Sequence, residues 1–494
     1  MIRTKKLLAI AAAGALVFAA CGSDDDSGDD ASTPAATDAP DTTDASESTD
    51  ATESTDASES TDATESTDAP DTTDAPDSTE AGEASGAVFV VDADACDDPD
   101  AATAPIEGSL RIGTSLPLSG GPAVLFAPLA AGQQAYIDYY NAENGGIDGQ
   151  PIELVIKDDQ YQADLTKTNV DELIFDDEVD MLSGMVGTPN NLAVRDDTNA
   201  QCIPQLAAST GAPEWGDIEN YPFTSGLLVP YEIEVRVFGD YIVEQFGEGA
   251  TVGLIYVNTE FGQAYVALME AYAEENGIEI VAQETIDGAD SGAPSGQMTN
   301  LVQADPDAIL AIPLGAQCIA FMLELGNAQA ANPDFDPAVY QTATCSDSIF
   351  FQNAANGGAD GVFTSLNIKD PNNPVYADDE GLQTYVDAMA TYAPDANALS
   401  TIAIAGWSSM EVAVEAARQA FEAGDLSRVG IMNAARNIDL APILQLNGLR
   451  AIMNAEDAYT AEGTQLVQWS DENGFLVPAG EVSNFEGSLG VFTP

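Results

Sequence analysis

Residues that do chemistry in most enzymes are scarce in this 494-residue chain. It contains no histidine, which removes Ser-His-Asp and Cys-His mechanisms, HExxH zinc sites and histidine general bases. No Gly-x-Ser-x-Gly elbow and no Walker A loop occurs. Gly247-Glu248-Gly249 precedes an apolar run instead of following one, so it is not a dinucleotide loop. With 83 acidic residues, a pair of carboxylates for glycoside cleavage is available by number, but no spacing singles one out. The five cysteines include no CxxC pair, so neither a metal nor a cofactor is expected. What remains is a set of hydroxyl and glycine loops, suited to holding a small molecule, and the cysteines.

Cys21 stands apart from the other four. Arg3, Lys5 and Lys6 precede a short apolar run from Leu7 to Phe18, and Ala19-Ala20-Cys21 closes it with small residues. This is the layout of a secretory signal over residues 1–20, too short to span a bilayer. Phe18-Ala19-Ala20-Cys21 resembles the lipobox of bacterial lipoproteins, which implies a lipid on Cys21 and an extracytoplasmic, membrane-tethered protein. In an exported chain, Cys96, Cys202, Cys318 and Cys345 read as two disulfides, for which three pairings exist. Cys318 and Cys345 fall at the ends of neighbouring strand-helix units and are paired on that ground, leaving Cys96 with Cys202.

Residues 21–86 carry almost no large apolar side chain and no Lys or Arg. Such a segment cannot bury enough surface to offset the entropy of ordering it, so it is expected to be disordered. A six-residue repeat, TDASES and its variants, runs through it from Thr43 to Ser78, which is low complexity, not a solenoid. As a neutral coil this spacer would reach roughly 45 Å, and its carboxylates extend it further. Of the 83 acids, 27 lie at or before Glu107, and three of the 13 bases lie in the signal. The remaining 56 acids and 10 bases give residues 108–494 a charge of −46. A surface this acidic repels nucleic acid and anionic lipid headgroups, and spread over a solvated face it serves solubility.

After an N-terminal extension (87–107), strand-length apolar runs alternate with helical patterns. Strands are expected at 110–118, 152–159, 179–185 and 203–209, with helices at 128–143, 162–175 and 189–199. After a Gly-, Pro- and aromatic-rich interval (211–230), a second set has strands at 251–258, 278–286, 307–314, 339–345 and 361–367. Its helices fall at 231–246, 260–276 and 316–329. Helices at 380–392 and 400–423 follow, then a β pair at 465–469 and 474–478. The pattern is that of an α/β protein with two Rossmann-like lobes. Ligands in such sheets bind beyond the C-terminal ends of the strands, and two facing sheets make a cleft that closes by hinge motion.

The run from Ile112 to Gln160 resembles the opening of type I periplasmic binding proteins, and is most similar to the Leu/Ile/Val-binding group that feeds ABC importers. It keeps Pro117-Leu118-Ser119-Gly120, Gly132, Asn144-Gly145-Gly146-Ile147-Asp148-Gly149 and Asp158-Asp159. Further on, YVNTEFGQAY (256–265) resembles the second-lobe turn in which an aromatic-Gly pair opens a helix. The similarity extends over most of residues 108–480, and the ordered combination of motifs is what makes it specific. It implies lobes joined by a crossed hinge, lobe 1 from 108–228 and 368–465, lobe 2 from 229–367 and 466–494. It also implies that Gly187, Thr188 and Pro189, with Ser209, Thr210 and Gly211, hold the ligand's polar groups, and that Phe261 covers it. For Thr188 and Ser209, simple helix N-capping accounts for the residue type equally well. Tyr231 is a further cleft candidate; Trp215 is assigned to packing. Where amino-acid binders place an acid against the ligand ammonium, this sequence has Thr344-Cys345-Ser346-Asp347, so either Asp347 substitutes or the contact is lost. The tyrosine after the preceding strand is replaced by Leu314-Gly315-Ala316-Gln317. The resemblance thus implies a non-enzymatic binding protein for a small polar ligand (an amino acid, amide or related metabolite), partnered by an ABC permease. Two other readings fit the same residues: a sensor subunit for a membrane receptor, and a secreted carboxylate-dependent hydrolase.

Overall fold

When strand-length apolar runs alternate with helices, each helix carries the chain back across a sheet face and neighbouring strands run parallel. The computed structural model describes residues 88–120, 126–288, 292–354 and 357–490. The signal segment, Cys21 and the spacer through residue 86 lie outside the described residues. A short helix α1 (Pro99–Thr103) leads into β1 (Arg111–Leu116), α2 (Ala127–Asn144), β2 (Glu153–Asp158), α3 (Ala163–Phe175), β3 (Met181–Ser183), α4 (Thr188–Ala200), β4 (Gln205–Ala208) and β5 (Thr224–Gly226). These strands form one parallel sheet in the order β2-β1-β3-β4-β5.

The chain then builds a second sheet through α5 (Tyr231–Phe246), β6 (Thr251–Val257), α6 (Glu260–Asn276), β7 (Glu279–Ile286), α7 (Ser295–Ala304), β8 (Ala308–Ile312), α8 (Ala316–Ala331), β9 (Ala338–Gln341), α9 (Ser348–Gln352) and β10 (Phe363–Leu366). Every residue of β8 is buried, as a central parallel strand covered on both faces must be. Next, α10 (Glu380–Tyr392), α11 (Thr401–Glu422) and α12 (Arg428–Ala435) return to the first sheet, followed by the short ladder of β11 (Asp439–Leu440) and β12 (Ala451–Ile452). Finally β13 (Gly463–Ser470) and β14 (Phe475–Asn484) join the second sheet antiparallel, giving the order β14-β13-β10-β9-β8-β6-β7. The chain therefore passes between the sheets three times, after β5, after β10 and after β12.

The return helix α11 is seated by glycine. A Cβ on Gly132 of α2 would lie 1.9 Å from the Ala403 carbonyl oxygen, and one on Gly406 would lie 2.1 Å from that of Leu129. Only glycine at both positions lets the two backbones approach this closely. Trp407 then packs edge-on to Tyr136 and Tyr385, with ring centres 5.0 and 5.4 Å away. Both expected disulfides form, Cys96–Cys202 and Cys318–Cys345. The first ties the extension to the end of α4. The extension is also held to α12, where Phe89 and Val91 N–H groups donate to Asn437 and Asn433 at 2.8 Å. Fully buried Arg436, whose guanidinium donates to the carbonyls of Pro222, Thr224 and Ala458, joins β5 to the third crossing.

At that third crossing, Asp457, Glu462 and Glu486 bring carboxylate oxygens within 4.8 Å of one another. Glu462 accepts the Gly487 and Leu489 N–H groups, at 2.5 and 3.3 Å. Burial, reinforced for Glu462 and Glu486 by the neighbouring carboxylates, raises the pKa of all three.

Two outcomes follow. The Cys96–Cys202 bridge closes a segment with a sequence separation of 106, against 27 for Cys318–Cys345. Chain entropy then makes its replacement by two alanines the costlier by about 1 kcal/mol, readable by urea unfolding. Acids with raised folded-state pKa values favour the protonated form, so their stabilisation is complete below the ordinary glutamate value of 4.5 and is lost as pH rises above it. The melting temperature should fall from pH 5 to pH 8, and Glu486→Gln should flatten that fall; an unchanged slope in the variant rules the cluster out as its source.

Candidate ligand-binding site

The loops at the carboxyl ends of the first sheet are set by two adjacent aspartates. Asp158 accepts the N–H groups of Leu118, Ser119 and Gln160 at 3.0 to 3.2 Å and the Ser119 hydroxyl. Burial raises its pKa, but these donors outweigh burial and hold it below the ordinary value. Asp159, fully buried, accepts the Ser115 and Thr166 hydroxyls and the Tyr161 N–H. The pair thus fixes the Pro117–Gly120 turn and aims Tyr161 toward the second sheet.

Gly187, with φ 103°, ends the β3 loop in a conformation that disfavours any other residue. It, and not Thr188, is the N-cap of α4. The Thr188 hydroxyl is thereby free to bond Thr210 Oγ1 at 2.8 Å and Tyr231 Oη at 3.2 Å. Thr210 also reaches Tyr231 Oη, at 3.3 Å, so three buried hydroxyls from the two lobes close a ring across the first crossing. Burial pushes the Tyr231 phenol pKa up, keeping it protonated and able to donate. Its ring stacks on Tyr265 at 4.2 Å and meets Phe261 edge-on at 5.6 Å. Tyr265 in turn donates to buried Glu234, which also accepts Ser365 Oγ and the Ala343 N–H. Ser209 Oγ, beside this ring, is buried with no hydrogen-bond partner among the described residues.

These groups line a cavity of about 130 Å³, measured as the space open to water centres. Of the sequence-derived candidates, Gly187, Thr188, Ser209, Tyr231, Phe261 and Asp347 border it. Thr210 lies one shell behind, bonded to Thr188, and Gly211 is packed against Val229 and the Tyr231 ring. Pro189 stands in the first turn of α4, away from the wall. Trp215 is buried, as a packing residue should be, with the Arg195 guanidinium 5.5 Å from its ring centre. Asp347 has both carboxylate oxygens engaged by the protein: one caps α9 through the Ile349 N–H at 2.9 Å, the other takes Ser400 Oγ at 2.5 Å and the Ile402 N–H. It pins the start of α11 to the second lobe. Residues of all three crossings also face the cavity, among them Leu228, Ile368 and Ala461.

A family model described as periplasmic binding protein matches residues 109–474. The chain belongs to the periplasmic binding protein family. The resemblance carried by Ile112 to Gln160 is thereby borne out, as is the two-lobed α/β fold. Among solved structures, this binding protein is similar to a branched-chain amino acid ABC transporter protein from Thermus thermophilus with bound valine (18% identity, covering 76% of this chain and 97% of that one, TM-score 0.67). It is similar also to a fatty acid ABC transporter substrate-binding protein from Thermomonospora curvata (17%, 79% and 96%, 0.65). A substrate-binding periplasmic protein from Ralstonia solanacearum matches at 21% identity, covering 75% of this chain and 100% of that one, TM-score 0.65. At these identities the likeness is one of fold. No curated protein sequence matches.

Sequence reasoning missed the wall that α11 supplies. Thr401, Ile402, Ala405, Ser408 and Val412 all border the cavity, and their spacing is the only signal, one that any packed helix face would give. Tyr161 and Gln445 were missed because a loop residue's partner across a cleft leaves no local trace.

Two substitutions separate the structural hydroxyls from the one left over. Tyr231→Phe removes a buried group shared by two threonines and should cost about 1 to 2 kcal/mol in urea unfolding. Ser209→Ala removes an atom with no protein partner and should stay within about 0.5 kcal/mol of the parent.

Proposed function

We propose that this chain is an extracytoplasmic solute-binding protein, held to the membrane by lipid on Cys21, which captures a small molecule between its lobes and delivers it to the permease of an ABC importer. The observation that carries the reading is the position of the cavity. It lies where all three crossings meet, so a rotation about those segments opens or closes it, the arrangement that hinge capture needs. The two lobes are residues 108–228 with 368–462 and 229–367 with 463–494, the last bound three residues before the expected one because β13 begins at Gly463 in the second sheet. The spacer then lets the lobes reach a permease while the anchor retains them.

The cavity walls shift the expected cargo. Phe126, Leu129, Val186, Leu366, Ile402 and Val412 are typical of its lining, and Asp347, the acid expected to pair an ammonium, already accepts three protein donors. We therefore assign a ligand with an apolar body and polar groups met by Ser209, Thr188 and Tyr231. Valine and fatty acid, named for two structural relatives, both have such a body.

A thermal-shift screen over amino acids, amides, polyamines, aromatic acids and aliphatic compounds tests the reading. A solute present at 100 times its Kd should stabilise the protein by about 2.7 kcal/mol, and Thr188→Val with Ser209→Val should weaken that solute at least tenfold. If no solute raises the melting temperature, solute capture is the wrong function.

A further inference from the structure

The cavity has a length and a charge character that the capture function does not require. Thr401, Ile402, Ala405, Ser408 and Val412 lie on one stripe of α11 and all border it. From Thr401 to Val412 is eleven residue steps, so the cavity follows the helix for about 16 Å. A free amino acid the size of valine or leucine would fill only part of that length. Beyond Val412 the wall continues with Pro442, Gln445 and Ala451.

Among the described residues, no lysine or arginine borders this space. Its one carboxylate, Asp347, has both oxygens bonded to Ile349, Ser400 and Ile402. A buried carboxylate on the ligand would thus find no cation, at a desolvation cost that neutral groups avoid, and an ammonium would have only Asp347, whose oxygens already accept three protein donors. Yet the lining is not wholly apolar. Ser209, Thr401, Ser408 and Gln445 border the cavity, and Ser209 Oγ, Thr401 Oγ1, Ser408 Oγ and Gln445 Oε1 are buried with no hydrogen-bond partner among the described residues. Thr401 and Ser408 are two helical turns apart, about 10 Å. Buried polar atoms are rarely left unpaired, and four along one narrow space call for an occupant with several separated hydrogen-bonding groups.

We infer that the ligand is an extended, uncharged and predominantly apolar molecule, a hydrocarbon frame of about 16 Å bearing hydroxyl, keto or amide groups at intervals. The inference rests on the solute-capture reading and names the class of solute. Apolar walls supply the affinity, and the four unpaired atoms supply the register.

Calorimetric titration of the purified protein with straight-chain primary amides of four to twelve carbons, alongside leucine and spermidine, tests this. Affinity should rise about fourfold per added methylene until the chain fills the cavity, and Val412→Phe should shorten the longest chain accepted by two or three carbons. Thr401→Val with Ser408→Ala should abolish any preference for amides carrying a second hydroxyl over those without one. Leucine or spermidine binding more tightly than every amide would overturn the inference while leaving solute capture intact. Amides that bind without dependence on chain length would overturn it too, as would failure of every amide to bind when the broader screen finds a ligand of another class. If that screen finds none either, the solute-capture reading falls with it.

Discussion

The backbone contact between α2 and α11 sets where everything else in the site can stand. Gly132 and Gly406 let two helices meet without side chains between them, and that contact places α11 against β3 and β4 of a sheet built more than 200 residues earlier. Once seated there, α11 presents its Thr401 to Val412 stripe to the cleft. Its first turn is held from the opposite lobe by Asp347 through Ser400. One helix thus belongs to the first lobe by packing and to the second by a charged cap, an arrangement through which a change in lobe angle acts directly on the cavity wall.

Acidic groups at and around the binding space are used for scaffolding, Asp347 on its wall included. A region with a net charge of −46 lines its cavity with hydroxyls and hydrocarbon, and its buried acids serve other ends. Asp158 and Asp159 shape a turn, Glu234 gathers Tyr265, Ser365 and the Ala343 N–H, and Glu462 holds the C-terminal loop at Gly487. Local donors hold Asp158 below the ordinary carboxylate value, whereas burial outweighs the donors at Asp159, Glu234 and Glu462 and raises their pKa values. Arg436 is a buried cation, its guanidinium donating to backbone carbonyls and lying over the Phe89 ring, 6.0 Å from its centre. Burial draws its pKa down to about 9.

Most of the architecture was legible because parallel strands and their covering helices write strong local periods. The expected helix over 231–246 coincides with α5, and that over 260–276 with α6; β8 and β10 fall inside the runs at 307–314 and 361–367. Elements without such periods escaped notice. The β5 strand has three residues, Thr224 to Gly226, with no alternation to detect. Helix α7 buries only Met298 and Leu301 of its ten residues, and α12 is short and Ala-Gly rich. Among the site residues, Thr188 and Ser209 were legible as loop hydroxyls, but the distinction between capping and facing the cleft was not. That choice was made by Gly187, whose φ lets it take the cap.

The sequence by itself determined the architecture and the family, since periodicity and ordered glycine motifs are properties of short stretches; it favoured one of three cysteine pairings, and the tertiary structure decided for that one. The tertiary structure alone decided the character of the cleft. Which side of α11 faces the ligand, whether Asp347 is spent on a helix cap, and which hydroxyls are left unpaired all depend on residues brought together across three crossings, and no local pattern encodes a distance between lobes.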